Sequence, residues 1–133
     1  MKKTYDLLEK AILESFIINP ELMKTTKIEE KHFKYNKRLF TFINKCYQRF
    51  GALDIPLMAS VCPNASDMID YIADIINGDT TYVRCKQYEE QLINLYDDFE
   101  LIENIYNLAK KLYIRDIKIE EFKKEIKELL GDE

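Results

Sequence analysis

The spacing of apolar residues is helical along most of the chain, beginning with residues 5–18. Apolar side chains there recur at intervals of three and four and form one broad face: Leu8, Ile12, Leu13, Phe16 and Ile17. This breadth predicts a central first helix. Asn19-Pro20 predicts that the helix stops at Asn19 and that a short helix follows to about Lys24, and residues 28–33 can form another turn.

The second long apolar pattern covers residues 37–50. Asn36 stands at a helix N-cap position, and Gly51 stands where a left-handed residue ends a helix. Two shorter helices are predicted at 56–61, opened by a proline, and at 66–77. Six helical pieces, mostly short, therefore precede the long segment that follows.

Residues 85–113 contain no Gly or Pro and have apolar positions that alternate steps of three and four. This set, here called the seam, is Cys85, Tyr88, Leu92, Leu95, Phe99, Ile102, Tyr106, Ala109 and Tyr113. Such spacing is a heptad repeat and predicts one long helix with a coiled-coil type of face.

The later half of that helix has another apolar face, here called the second stripe: Leu101, Ile105, Leu108 and Leu112. A final helix with an apolar face (Ile119, Phe122, Ile126 and Leu129) can fold back as an antiparallel hairpin and cover one of the two faces. The uncovered face predicts self-association, and the spacing is equally compatible with a parallel coiled coil, a hairpin dimer or packing within the chain. The predicted fold is all-α, with a small helical globule at 1–79 and a helical hairpin at 80–133, together one structural domain.

Composition agrees with this fold class. Three Gly and three Pro in 133 residues leave little turn chemistry for an all-β fold, while 47% hydrophobic and 33% charged residues are typical of a soluble globular chain. Cys46, Cys62 and Cys85 fit no metal-ligand spacing and are interpreted as reduced, mostly buried thiols. We identify neither a signal peptide nor a membrane span, and we expect a cytoplasmic protein.

Candidate catalytic chemistry is sparse. Glycines at 51, 78 and 131 cannot form a phosphate-binding P-loop, and His32, the single histidine, is interpreted as a solvated helix residue rather than a ligand or acid-base group. Pairs of acids such as Asp97-Asp98 and Asp67 with Asp70 are interpreted as solvated helix residues. We therefore predict no enzyme activity in this chain, no cofactor and no metal.

Positive charge is concentrated between residues 24 and 49. This segment contains eight Lys or Arg and two Glu, so its local charge is +6. Because the net charge of the whole chain is −4, the remaining residues together carry −10. Aromatic residues are interleaved with these cations, which is one way to bind nucleic acid. This alternative assigns the contact to Lys34, Lys37 and Arg38, and it predicts binding that weakens steeply with salt and is lost when their charges are reversed.

The order of the segments resembles the N-terminal domain of the DnaB family of replicative hexameric DNA helicases. LLEKAILESFIINPEL (7–22) resembles that family's first helix and its "D/N-P-E" corner, and HFKYNKRLFTFI (32–43) resembles its "DFY...HR.IF..I" stretch. GALDIPL and DYIADIIN are similar to its Gly-hydrophobic-Asp and "YLAEL" segments, and Tyr88 and Leu92 fall at its "YA.IV" stretch. The family's ATPase domain has no counterpart in these 133 residues.

The resemblance implies a non-catalytic interaction and oligomerisation module of the bacterial cytoplasm, with a phage-encoded origin also open. In such helicases the hairpins pair between subunits, the dimers assemble into a collar as a trimer of dimers, and the collar docks primase or a helicase loader. The residues expected at the hairpin and dimer interface are Leu101, Ile105, Leu108, Leu112, Ile119, Phe122 and Ile126.

Two other interpretations stay open. One is a stand-alone mimic of this helicase domain, of phage or mobile-element type, that binds a host loader or helicase. A native reading frame that continues beyond Glu133 into a P-loop domain would favour the helicase over the mimic. The other is the small nucleic-acid-binding protein that uses the basic segment 24–49.

Overall fold

The computed structural model describes residues 2–61, 65–76 and 82–131. Within these ranges the chain is helical and has no strand, which confirms the all-α prediction. The α-helices are α1 (Lys2–Ile18), α2 (Lys37–Phe50), α3 (Ile55–Ser60), α4 (Ala65–Ile75), α5 (Cys85–Tyr113) and α6 (Ile119–Leu130). Short 3-10 helices cover Pro20–Lys24, Glu30–His32 and Tyr82–Arg84. The predicted Asn77-Gly78 helix end and Cys62 lie outside the described residues.

The helix ends follow the turn chemistry of the sequence at two places. The N–H of Asn19 donates to the carbonyl of Ser15 at 2.8 Å, and Pro20 then begins a separate 3-10 helix. Gly51 has a φ of 68°, and its N–H donates to the carbonyl of Tyr47 at 2.8 Å. Glycine adopts this left-handed conformation without a Cβ penalty, which is why α2 ends there.

Asn36 differs from the prediction in one respect. It precedes α2, as predicted, but its side chain makes no capping hydrogen bond to that helix. Its amide nitrogen instead donates to Asp6 at 2.9 Å and to Glu9 at 3.2 Å, and its carbonyl oxygen accepts from the hydroxyl of Tyr71. Tertiary partners outcompeted the local cap because Asn36 is buried beside α1.

The chain divides into two compact units, Met1–Ile93 and Asn94–Glu133. The division falls inside α5, whereas the sequence pattern predicted it ahead of that helix, after residue 79. A single helix therefore contributes to both units.

The first unit has a continuous apolar core around α1. Residues of α1, α2 and the start of α5 are almost completely inaccessible to solvent: Ile12, Leu13, Phe16, Leu39, Ile43, Cys46, Cys85 and Leu92. The rings of Phe33 and Phe40 stack with centroids 4.6 Å apart. The breadth of the apolar face of α1, visible in the sequence, is thus explained by its contacts on several sides.

Glu9 is a buried carboxylate in this core, and it holds the segment ahead of α2. Its two oxygens accept hydrogen bonds from the backbone N–H groups of Lys34 at 3.0 Å, Tyr35 at 3.1 Å and Asn36 at 2.8 Å. Its side chain has no solvent exposure. A buried charge is tolerated where hydrogen bonds replace the water it has lost, and Glu9 fixes the path of the chain into α2 in this way.

The start of α5 is joined to the segment after the first 3-10 helix by a second buried acid, Glu89. The hydroxyl of Thr26 donates to the Glu89 carboxylate, and the backbone N–H of Ile28 donates to the Thr26 hydroxyl at 3.0 Å. One turn earlier, burial raises the pKa of the Cys85 thiol to about 11. Cys46 and Cys85 are buried thiols, as predicted.

Candidate interaction surface

The second unit consists of the later part of α5, a tight turn and α6. The turn satisfies the last carbonyls of α5: the N–H of Asp116 donates to Lys111 at 2.9 Å, and the N–H of Arg115 donates to Leu112 at 3.1 Å. This pair of bonds is a Schellman motif, in which the residue at Arg115 must be left-handed. Arg115 has a φ of 65° and occupies a place where glycine is usual. The turn lets α6 begin only a few residues after α5 ends.

The second stripe of α5 is the better covered of the two apolar faces. Leu108 is buried, with 9% of its surface exposed, and Leu101, Ile105 and Leu112 are half-buried. A cleft of about 440 Å³ runs beside this face and is lined by residues of both helices, among them Asn104, Leu108, Lys111, Glu125, Glu128 and Leu129. This lining includes one apolar residue from each helix, Leu108 from α5 and Leu129 from α6.

Helix α6 is amphipathic, yet it has no buried residue. Phe122, Ile126 and Leu129 are half-buried, and Ile119 and Leu130 are exposed by 44% and 53%. An amphipathic helix normally buries its apolar face against a neighbour. Within the described part of this chain α6 therefore retains apolar surface that no other segment covers fully.

The solvent exposure of the seam of α5 increases along its length. At its start Cys85 and Leu92 are buried, and Tyr88, Leu95 and Phe99 are half-buried. From residue 102 onward every seam residue is exposed, and this part is here called the open face: Ile102 (60%), Tyr106 (66%), Ala109 and Tyr113 (87%). The same repeat thus serves as core at its start and as surface from residue 102 onward.

Some of the predicted interface residues are covered, and others are exposed. Leu101, Ile105, Leu108 and Leu112 lie on the covered side of α5, Phe122 and Ile126 are half-buried, and Ile119 is exposed. The sequence pattern placed Ile102, Tyr106 and Tyr113 in the seam, but they were not among the predicted interface residues. Their heptad spacing was the signal, and only their exposure reveals that this half of the seam is uncovered.

The cations proposed for nucleic-acid contact are at the surface. Lys34, Lys37 and Arg38 are all exposed, and the ammonium of Lys34 lies 4.8 Å from the centroid of the Tyr5 ring. Elsewhere in the basic segment, Lys24 pairs with Glu21 at 2.9 Å and Lys31 pairs with Glu29 at 3.5 Å. These adjacent carboxylates reduce the local positive potential that a nucleic acid would meet.

His32 is not the solvated helix residue that the sequence predicted. It is buried, with 5% exposure, at the end of the 3-10 helix Glu30–His32. Its Nδ1 accepts a hydrogen bond from the backbone N–H of Glu29 at 2.9 Å, so the imidazole stabilises the turn. Within the described ranges no group of three or more His, Cys, Asp or Glu side chains is placed to hold a metal ion.

Comparison of the chain with protein-family models, with curated proteins and with solved structures found no significant match. The resemblance to a helicase N-terminal domain therefore stays a prediction. Among the helices of the described segments, none is long and apolar enough to cross a membrane.

Proposed function

We propose that this chain is a non-catalytic interaction module that self-associates through the second unit. The observation that supports this most directly is the open face of α5, whose Ile102, Tyr106 and Tyr113 are each at least 60% exposed. Full burial of a large apolar side chain contributes about 1.5–3 kcal/mol. Three such side chains from each of two copies are therefore available to offset the cost of association, which is about 4–15 kcal/mol.

In this proposal α5 and α6 form an antiparallel helical hairpin. The turn at Arg115, the cleft that both helices line, and the half-buried second stripe support that arrangement. The second stripe and α6 stabilise the hairpin within one chain, and the open face meets the hairpin of a second copy. The apolar surface remaining on α6 can then be covered in the same assembly.

The biological setting proposed is the N-terminal domain of a replicative DNA helicase, organising oligomers and docking primase or a helicase loader. The order of the segments LLEKAILESFIINPEL and HFKYNKRLFTFI, and their place ahead of a long helix, support this setting. A stand-alone mimic of such a domain would have the same architecture. It would differ in its partner, because it would bind a host loader or helicase.

The first experiment measures the molar mass of the chain by size exclusion with light scattering across a range of concentrations. We expect a dimer or a multiple of it, and we expect Ile102→Asp to convert it to a folded monomer because the new carboxylate would be buried unpaired in the interface. Val83→Asp is the matched control, since Val83 is an exposed β-branched residue of the first unit, with 73% exposure.

A second variant, Ile105→Asp, separates the hairpin from the pairing surface. Ile105 is half-buried on the second stripe, so we expect this variant to lose helical content and thermal stability as well as self-association. A wild-type chain that is monomeric at every concentration would contradict the proposed self-association. An Ile105→Asp variant with unchanged fold and unchanged mass would contradict the hairpin.

A further inference from the structure

The charges beside the open face differ between its two ends. When the heptad is lettered so that Phe99, Tyr106 and Tyr113 are a positions and Ile102 and Ala109 are d positions, Glu103 and Lys110 become the e positions. Both of these charged side chains are exposed. The acidic e residue thus lies toward the start of the open face and the basic one toward its end.

The g positions on the other side of the open face are different in character. Asp98 is exposed, but Ile105 and Leu112, which follow it at g, are half-buried members of the second stripe. The g side is therefore directed toward the covered part of the second unit. The e side remains accessible to a partner along the length of the open face.

Residues at e and g decide the orientation of a helix pair, because they are the charged groups that meet across the interface. In a parallel pair, g of one helix meets the following e of the other, which places Asp98 beside Glu103 of the second copy. In an antiparallel pair, e meets e, which places Glu103 beside Lys110 of the second copy. A two-fold axis makes each of these contacts occur twice.

We propose that the open face of α5 binds the same face of a second copy in antiparallel orientation, with Glu103 of each copy against Lys110 of the other. This inference rests on the proposed self-association and adds its orientation and register. The apolar residues Ile102, Tyr106 and Tyr113 supply the affinity. The two charge pairs select the antiparallel arrangement and disfavour the parallel one, in which acids would face acids.

The test is the effect of Glu103→Lys on the dimer dissociation constant, measured by analytical ultracentrifugation of the full chain. In the antiparallel dimer this change replaces two attractive pairs with two repulsive ones, and we expect the dissociation constant to rise about tenfold at low ionic strength. In a parallel dimer the same change would place the introduced ammonium group against Asp98 of the second copy, so that the dissociation constant would fall. The two orientations therefore predict opposite signs.

The charge-swapped variant Glu103→Lys with Lys110→Glu completes the test. It restores both antiparallel pairs, and we expect its dissociation constant to return to within about twofold of the wild-type value. Tighter association of Glu103→Lys, or no rescue by the double variant, overturns the antiparallel register. Ile102→Asp distinguishes this failure from failure of the proposed function, because it dissociates any dimer formed through the open face and leaves unchanged a dimer formed elsewhere.

Discussion

Replacement of Glu9 by Ala tests how the first unit is held together. The Glu9 carboxylate is completely buried and accepts backbone hydrogen bonds from Lys34, Tyr35 and Asn36. Alanine leaves these donors without their acceptor. Lys34 and Tyr35 are exposed residues that water can reach, whereas Asn36 is only 2% exposed and its N–H would stay buried and unsatisfied.

The expected magnitude follows from these contacts. A buried donor that loses its partner costs about 1–3 kcal/mol, and each lost hydrogen bond to a charged group costs about as much. Removal of the buried charge itself recovers part of the desolvation penalty. The net destabilisation expected for Glu9→Ala is about 3 kcal/mol, a large share of the roughly 5–15 kcal/mol typical of a folded domain.

The assay is urea denaturation followed by far-ultraviolet circular dichroism at one fixed, low protein concentration, so that self-association contributes equally to all variants. With a urea m-value of about 1.5 kcal/mol/M, the midpoint of Glu9→Ala should fall by about 2 M. Glu9→Gln should lose less, about 1–2 kcal/mol, because one oxygen remains while the new amide group faces the N–H of Lys34.

Glu90→Gln is the matched control, since Glu90 is an exposed glutamate on α5 and its change should be within about 0.5 kcal/mol of zero. The reasoning would be refuted if Glu9→Ala unfolded at the same urea concentration as Glu90→Gln. Amide hydrogen exchange supplies an independent check. Protection at residues 34–36 should decrease selectively in the Glu9 variants, because the carboxylate is the acceptor for all three N–H groups.

Two further predictions concern Glu89 and Arg115. Burial raises the pKa of Glu89 above its usual 4.5, so its contribution to stability is full below the unfolded pKa and is lost as the pH rises through the folded pKa. We therefore expect Glu89→Gln to unfold at a higher temperature than wild type at neutral pH. Wild type should gain stability as the pH falls toward about 5, and the variant should lose part of that gain. A variant that is less stable than wild type at neutral pH would contradict this reasoning. Because Arg115 has a φ of 65°, Arg115→Gly should stabilise the chain by about 1 kcal/mol and raise the melting temperature by several degrees. Asp116→Gly, at the next residue of the same turn but without a positive φ, should give no such gain, and equal effects of the two changes would count against strain at Arg115.

The helices of this protein were largely predictable because they are specified by local chemistry. Gly51 ends α2, Pro20 begins a separate 3-10 helix, and the uninterrupted heptad spacing predicts the single long helix α5. These signals depend only on residues a few positions apart. The sequence likewise indicated that the later part of α5 has two apolar faces.

The buried polar groups were not predictable from local patterns. The sequence analysis did not predict the burial of Glu9, Glu89 and His32, and each is buried by the fold. The partners of the two acids are backbone N–H groups or a hydroxyl brought close from elsewhere in the chain, as in Glu9 with residues 34–36 and Glu89 with Thr26. No spacing rule connects residues separated by such distances along the chain.

Local patterns were sufficient for the all-α class, the positions of the main helices and the presence of surplus apolar surface on α5. Which part of that surface is surplus depended on the packing of distant segments. One continuous repeat is buried at Cys85 and Leu92 and exposed at Ile102 and Tyr106, since α1 packs beside the start of the repeat and nothing in the described chain covers its end to the same extent. The spacing of apolar residues shows that a helix face is apolar, whereas its burial depends on which other segments of the fold pack against it.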